Sequence, residues 1–151
     1  MTAPVARRAG RVLLVDAQRR VLLFRAGDPL LPARGTWWVT PGGGLDDGES
    51  FAQGAARELG EETGLVVDPV ELGGVVLERE SEFRWNGGHY LQTEEFFLLR
   101  VDSHVVDQTG LSSLEVACFV EHRWWDLDAL AATADVVYPP NLAELLGRLG
   151  V

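Results

Sequence analysis

Apolar residues run in short blocks along this chain, and polar breaks separate the blocks. RVLLV (11–15) and VLLF (21–24) flank DAQRR, which predicts two strands joined by a polar turn. TWWV (36–39) predicts a short aromatic strand that TPGGG ends. VVLERESEFRW and HYLQTEEFFLLRV, separated by NGG, predict the two long strands of a hairpin, and FVEHRWW (119–125) predicts another strand. The pattern changes over 50–63, where Ser50 and Gln53 form a capping-box pair and Gly64 stands at the position of a left-handed C-terminal cap. DLDALAA predicts a short helix, and PPNLAELLGRLG predicts a closing helix with proline at its entry. No repeat, low-complexity tract or linker breaks the sequence. Strands on both sides of one central helix predict an α/β (α+β) class, with a mixed sheet packed between helices in a single domain of 1–151.

Along a helix each residue turns the side-chain direction by about 100°. With Glu58 as reference, Gly54, Arg57, Glu61 and Glu62 share one sector, while Ala52, Ala55, Ala56, Leu59 and Thr63 share the opposite one. The second sector is small and mostly apolar, so it predicts a face pressed against a sheet. The first gathers three carboxylates at spacings where like charges repel. A solvated acidic face is one reading. The other is a hard divalent cation, which takes oxygen ligands from a few carboxylates and from substrate phosphates. Arg57 precedes Glu58 by one residue and Glu61 by four, so it can steady the carboxylates without being a ligand.

Composition changes this picture at two points. Hydrophobic residues make up 46% of the 151 and charged ones 24%, the profile of an ordinary globular protein. No apolar run approaches the roughly 20 residues of a bilayer span, and MTAPVARRAGRVLLV is a poor signal peptide. A cytoplasmic location is the expectation. Cys118 stands alone, which excludes an internal disulfide, and within ACFV it reads as a small buried hydrophobe. The formal net charge of −10 argues against nucleic-acid partners and anionic membranes. It also argues against polyphosphate substrates unless divalent cations stand between protein and substrate.

From Gly43 to Leu65 the chain reads GGLDDGESFAQGAARELGEETGL after one further glycine, Gly42. Its defined positions are Gly43, Glu49, Arg57, Glu58, Leu59, Glu61, Glu62, Gly64 and Leu65. This spacing resembles the Nudix box at every defined position, and WWVTPGGG and RWWDLDAL extend the resemblance across essentially the whole chain. The resemblance implies a Nudix-type α/β/α sandwich with a mixed sheet, and metal-dependent attack of water on a diphosphate linked to another moiety. It implies Glu58, Glu61 and Glu62 as metal-binding carboxylates, with the backbone carbonyl of Gly42 as a further ligand. It also implies that Glu49 and Arg57 brace the loop against the helix. Mg²⁺ is the expected cofactor, with Mn²⁺ as its substitute, because the glutamate face lacks the His and Cys ligands favoured by zinc.

Outside the box the residues leave alternatives. The glycines Gly42, Gly43 and Gly44 lack the Gly-Lys-Ser/Thr of a P-loop, so a tight turn close to the metal is expected. Arg25 and Arg34 flank the preceding loop and are candidate phosphate contacts, with solvated arginines as the alternative. Of Trp37, Trp38, Trp124 and Trp125, strand alternation lets one reach substrate while the others fill core. His89, His104 and His122 form no ligand spacing. Tyr90, Gln92, Glu94, Phe96 and Leu98 share a face of a strand that is apolar on both sides toward its end, predicting a central strand. Glu94 with Gln92 suggests a polar pocket wall, where Glu94 contacts substrate or metal, or else pairs with an arginine.

A water attacking phosphorus needs an acceptor for its proton, and three glutamates committed to metal are poorly placed for it. Glu94, Glu95, Glu115 and Glu121 are available, and Glu115, in the loop GLSSLEV, is the expected general base or last metal ligand. The family's ADP-ribose, diadenosine polyphosphate, coenzyme A and NADH signatures are missing from this sequence. A small nucleotide-type substrate is therefore expected, nucleoside triphosphates ahead of nucleotide sugars, with a homodimer compatible with this reading. The alternative is a catalytically silent domain that senses a nucleotide-like ligand.

Overall fold

Eleven residues, Val5–Val15, exposed at the start and fully buried from Val12 onward, form the strand on which the molecule is organised. A computed structural model describes residues 3–151. In chain order the elements are β1 (Val5–Val15), β2 (Arg20–Gly27), β3 (Thr36–Val39), β4 (Gly42–Gly44), α1 (Phe51–Thr63), β5 (Val75–Trp85), β6 (Gly88–Arg100), α2 (Ser113–Cys118), β7 (Phe119–Asp126), α3 (Leu127–Ala132), β8 (Val137–Tyr138) and α4 (Leu142–Arg148). β1 pairs parallel with β6 from Val5↔Tyr90 to Val15↔Arg100, and antiparallel with β4 on its other side. Its antiparallel pairing with β2 is confined to Val15↔Val21. Beyond that point the sheet continues with β2 between β3 and β7, and β8 adds parallel to β3. The sheet is therefore mixed and strongly curled. Among the described residues no helix is long and apolar enough to cross a membrane.

Period-two alternation divides the core between two layers. Val12 and Leu14 of β1 join Leu22, Phe24 and Phe97 against Ala55, Ala56 and Leu59 of α1. Leu13 and Val15 face the other way, into a cluster with Val21, Trp38, Trp125, Leu142 and Leu146 beside α3 and α4. Helices thus cover both faces of the sheet, which is the α/β/α sandwich expected from the sequence. Trp38 and Trp125, one from each tryptophan pair, meet edge to face at 5.1 Å in this second cluster.

The local signals that set α1 are all present. Ser50 Oγ accepts from Gln53 N, the Gln53 side chain accepts from Ser50 N, and Gly64 closes the helix at φ +77°. The long hairpin turns on Asn86 and Gly87, both at positive φ (48° and 79°), as a two-residue turn of the primed type requires. Four expectations need correction. β1 begins at Val5 rather than residue 11, because Arg7 and Arg8 hide a strand whose backbone is fully paired with β6. The three glycines form strand β4 rather than a tight turn. GLSSLEV is a loop only in part: Ser112 and Glu115 make a capping box that starts α2. The closing helix is entered through Asn141 at φ +61°, with both prolines outside it.

α1 lies unusually near β1. A Cβ on Gly10 would collide with the Phe51 carbonyl oxygen and stand 2.9 Å from Ala55 N, so this approach exists because residue 10 has no side chain. Ala55 is fully buried in that seam. Ala55→Leu should therefore lower stability by about 1–3 kcal/mol through overpacking, read as a melting temperature several degrees below wild type. An unchanged melting temperature would mean that α1 is seated on a different face.

Candidate active site

The loop between β4 and α1 is held to the helix by one guanidinium. Arg57 Nε and Nη2 donate to Glu49 Oε2 and Oε1, both at 2.9 Å, a bidentate fork. Nη2 also donates to the Gly44 carbonyl at 3.0 Å, and Nη1 lies 3.2 Å from both Glu58 and Glu61. Hydrogen bonds to Glu49 hold Arg57 above the ordinary arginine range, and the same bonds hold Glu49 below the usual carboxylate range. Glu49 in turn accepts from Asp46 N, which fixes the turn before Ser50. The bracing pair implied by the sequence is present.

Three carboxylates then converge. Glu58, Glu61 and Glu115 each offer an oxygen such that all three lie within 4.8 Å of one another. Glu58 is pushed above the usual range, first by burial and then by the charge of Glu115. Glu115 is oriented by its own helix end, where its Oε1 accepts from Ser112 N at 3.0 Å. Glu62 stands apart from this group and is only 1% exposed. Both of its oxygens lie 3.3 Å from Gly42 N, and burial followed by the charge of Glu58 raises it well above its ordinary value. The donors are oxygens alone and the charges are crowded and partly desolvated, which fits a hard divalent cation.

Strand β4 separates this cluster from the opposite layer with bare backbone. A Cβ on Gly43 would stand 2.9 Å from Glu58 Oε1, and one on Gly44 would stand 2.8 Å from Arg7 Nε. The glycines thus leave room for a carboxylate on one side and a guanidinium on the other. The Gly42 carbonyl accepts a long 3.4 Å hydrogen bond from Arg11.

A cavity of about 710 Å³ opens beside the glutamates, between β1, β3, β5, β6 and α2. A smaller cavity of about 330 Å³ near α3 and α4 shares no residue with it and carries none of these groups. Arg7, Arg11 and Arg79 line the larger one. Arg7 makes no ion pair within 4.0 Å among the described residues; burial, and then the neighbouring Arg11, hold its guanidinium below the ordinary value. Arg7 and Arg11 escaped the sequence reading, although their two-residue period around Ala9 places them on the same face of β1.

The other expected residues separate cleanly. Glu94 lines the cavity, is 4% exposed, and lies 3.9 Å from Arg11 and 3.6 Å from Arg79, so the arginine pairing holds. Gln92 Nε2 donates to it at 2.6 Å, giving the polar wall that the pair suggested. Arg34 lines the cavity but is occupied, donating to Asp28 (3.0 Å) and to the Arg84 carbonyl (2.6 Å) while it covers the Trp37 ring at 5.3 Å. Trp37 is the tryptophan of the two pairs that reaches the cavity, and Trp85 joins it there. Arg25 does not reach it: it pairs with Glu121 at 3.4 Å outside the cavity lining. Arg123 stacks on Trp125 at 3.8 Å. His104 bonds the Thr63 carbonyl at 2.7 Å and caps α1, a structural role.

Comparison with known proteins agrees with this geometry. A family model described as a NUDIX domain matches residues 5–145. The chain is 32% identical over 138 residues to an RNA pyrophosphohydrolase of Novosphingobium aromaticivorans, covering 85% of this chain and 80% of that protein. In three dimensions it resembles the MutT NUDIX hydrolase of Burkholderia pseudomallei, with a TM-score of 0.66 at 19% identity over 96% of this chain and 98% of the other. It also resembles a bifunctional NMN adenylyltransferase/ADP ribose pyrophosphatase of Francisella tularensis complexed with AMP and a Mn ion, with a TM-score of 0.60 at 17% identity. That likeness covers 99% of this chain and 43% of the larger one. With the box geometry in place and the family model spanning nearly all of it, the chain belongs to the Nudix family of pyrophosphohydrolases.

Proposed function

We propose that this protein is a Mg²⁺-dependent hydrolase of nucleoside 5′-polyphosphates, with nucleoside triphosphates as its preferred substrates. The observation that carries this reading is the convergence of Glu58, Glu61 and Glu115 within 4.8 Å beside a cavity whose facing wall holds Arg7, Arg11 and Arg79. Glu62 and Gly42, joined by the Gly42 N–H, complete the proposed ligand set. Bound divalent cations neutralise such carboxylates, engage phosphate oxygens and make water a better nucleophile.

The chain's own residues do the rest. Arg57 and Glu49 keep the loop and helix in register. Arg7, with no carboxylate of its own, is free to receive a phosphate oxygen. Glu115 Oε1 is engaged by Ser112 N, which leaves Oε2 for one of two roles, last metal ligand or acceptor of the attacking water's proton. A second reading follows from the relative named RNA pyrophosphohydrolase: the triphosphate carried on an RNA 5′ end. A net charge of −10 disfavours a long nucleic-acid track, but a single 5′ end entering the cavity needs none.

The deciding experiment separates the products (nucleoside mono- and diphosphates, pyrophosphate, phosphate and sugar phosphates) formed from nucleoside triphosphates, nucleotide sugars, ADP-ribose and a 5′-triphosphorylated oligonucleotide, with Mg²⁺, Mn²⁺ or excess EDTA. Triphosphates should turn over with either metal and not with EDTA. Full turnover in EDTA, or turnover of sugar nucleotides alone, would overturn the proposal.

Three roles can be separated by mutation. Glu115→Gln and Glu62→Gln should each remove most of the turnover at saturating Mg²⁺. Glu62→Gln should raise the metal-free melting temperature more than Glu115→Gln does, because Glu62 is the carboxyl group that burial penalises most, with the charge of Glu58 adding to that penalty. Near wild-type turnover in either variant would exclude that residue from the site. Arg7→Met should raise KM for a triphosphate by roughly 10–100-fold, the worth of a hydrogen bond to a charged group, with folding unimpaired. A KM that does not move would place the phosphates elsewhere.

A further inference from the structure

Strand β7 carries one extra residue where it lies against β2. Arg25 pairs with Glu121, yet Ala26 pairs with Phe119, so Val120 is bulged out and left 57% exposed. In an unbroken ladder Phe119 would oppose Gly27 and share the face of Arg25, outside the cavity. The bulge turns it instead to the face of Phe24, on which its ring stacks at 5.0 Å, and into the cavity lining. Trp37 of β3 pairs with Ala26 from the other side. Side chains directly opposed in antiparallel strands share a face. Trp37, Ala26 and Phe119 therefore stand in one row, large, small, large, and all three line the cavity. Neighbouring strands lie about 4.8 Å apart, which sets the two aromatic residues about 10 Å apart across Ala26. A flat ring needs about 3.5–4 Å on each face, so this spacing admits one, with the alanine methyl as its floor. Trp37 and Phe119 are both partly exposed, and Arg34 approaches the Trp37 ring from the side of Asp28 and Arg84 rather than across β2. Leu114, on the helix that runs into Phe119, adds an apolar edge that is 41% exposed.

We infer that Trp37, Ala26 and Phe119 form a stacking slot for the base of the substrate, one that selects on ring area and favours purines over pyrimidines. β1 and β2 pair only at Val15↔Val21 and then part, and the cavity opens between them. The slot lies on the β2 side, while Arg7, Arg11 and Arg79 lie on the side of β1 and β5, so base and phosphates have separate walls. This rests on the nucleotide reading above and extends it from the phosphates to the other end of the ligand. The slot offers ring faces and a methyl group, and every base has a π-face. Guanine and adenine are therefore held about equally, while the smaller pyrimidines lose contact.

The test is calorimetric titration with GMP, AMP, CMP, UMP and ribose 5-phosphate in the presence of Mg²⁺. Wild type should bind both purine monophosphates about tenfold more tightly than ribose 5-phosphate, the worth of stacking one base, with the pyrimidines between. Ala26→Val fills the slot and Trp37→Leu removes one wall. Each should bring the purine advantage close to unity and leave the affinity for ribose 5-phosphate unmoved. Ala26→Gly, which clears the floor, should keep the advantage. Melting temperatures show that each variant is folded, and should Ala26→Val fail to fold, the other two variants decide. Four results would each overturn the inference: no purine advantage in wild type, its survival in Ala26→Val or Trp37→Leu, its loss in Ala26→Gly, or a guanine–adenine difference larger than the purine–pyrimidine one. Turnover of the matching triphosphates is followed in parallel. Its absence alongside an intact purine advantage would sink the hydrolase reading and leave the slot standing; turnover without that advantage would do the reverse.

Discussion

One cation faces four carboxylates at the heart of this molecule. Arg57 lies within 3.2 Å of oxygens from Asp46, Glu49, Glu58 and Glu61. The fork to Glu49 is mechanical, since it pins the loop after β4 to the helix that follows. The contacts to Glu58 and Glu61 are electrostatic, because they offset part of a repulsion that would otherwise work against forming α1. The residual negative charge is what a divalent cation would neutralise. Without the fork the Gly44 carbonyl would lose its donor and the glutamates would lose their common reference. Geometry and charge therefore depend on the same side chain.

The sheet supplies the other half of the arrangement. β1 presents Gly10 to α1 and Arg7 and Arg11 to the cavity, so alternation along one strand separates the layer of the glutamate helix from a layer of arginines. Its pairing with β6 brings Gln92 and Glu94 opposite Arg7 and Ala9. The chain then returns through α2, whose capping box aims Glu115 back at the helix from which the site began. An acidic protein thus sets three arginines, with Glu94 between two of them, across the cavity from Glu58, Glu61 and Glu115.

Much of this was legible beforehand because the signals were local. Ser50, Gln53 and Gly64 mark the ends of α1, Asn86 and Gly87 mark the hairpin turn, and the box spacing marks the glutamates. What failed depended on partners distant in sequence. Arg7 was missed because nothing nearby in the chain pairs with it, and β6 lies more than eighty residues away. Arg25 sits in a strand whose register sends it to Glu121, a choice that no short window contains. The α2 capping box is the exception: Ser112 and Glu115 carried the same signal as Ser50 and Gln53, and the surrounding glycine and serine masked it. Glu62 shows a different limit, since helical spacing put it on the acidic face and only the fold shows it buried beneath Gly42.

The bare backbone of β4 has a consequence for how such a protein can change over generations. Gly43 and Gly44 have a carboxylate against one side and a guanidinium against the other, so neither position can acquire a side chain without displacing chemistry. New substrate preferences cannot be written there. They must arise elsewhere in the lining, as at Trp37, Trp85 and Tyr138. Contact fixes the centre of the molecule, and room for change is left to the side chains around it.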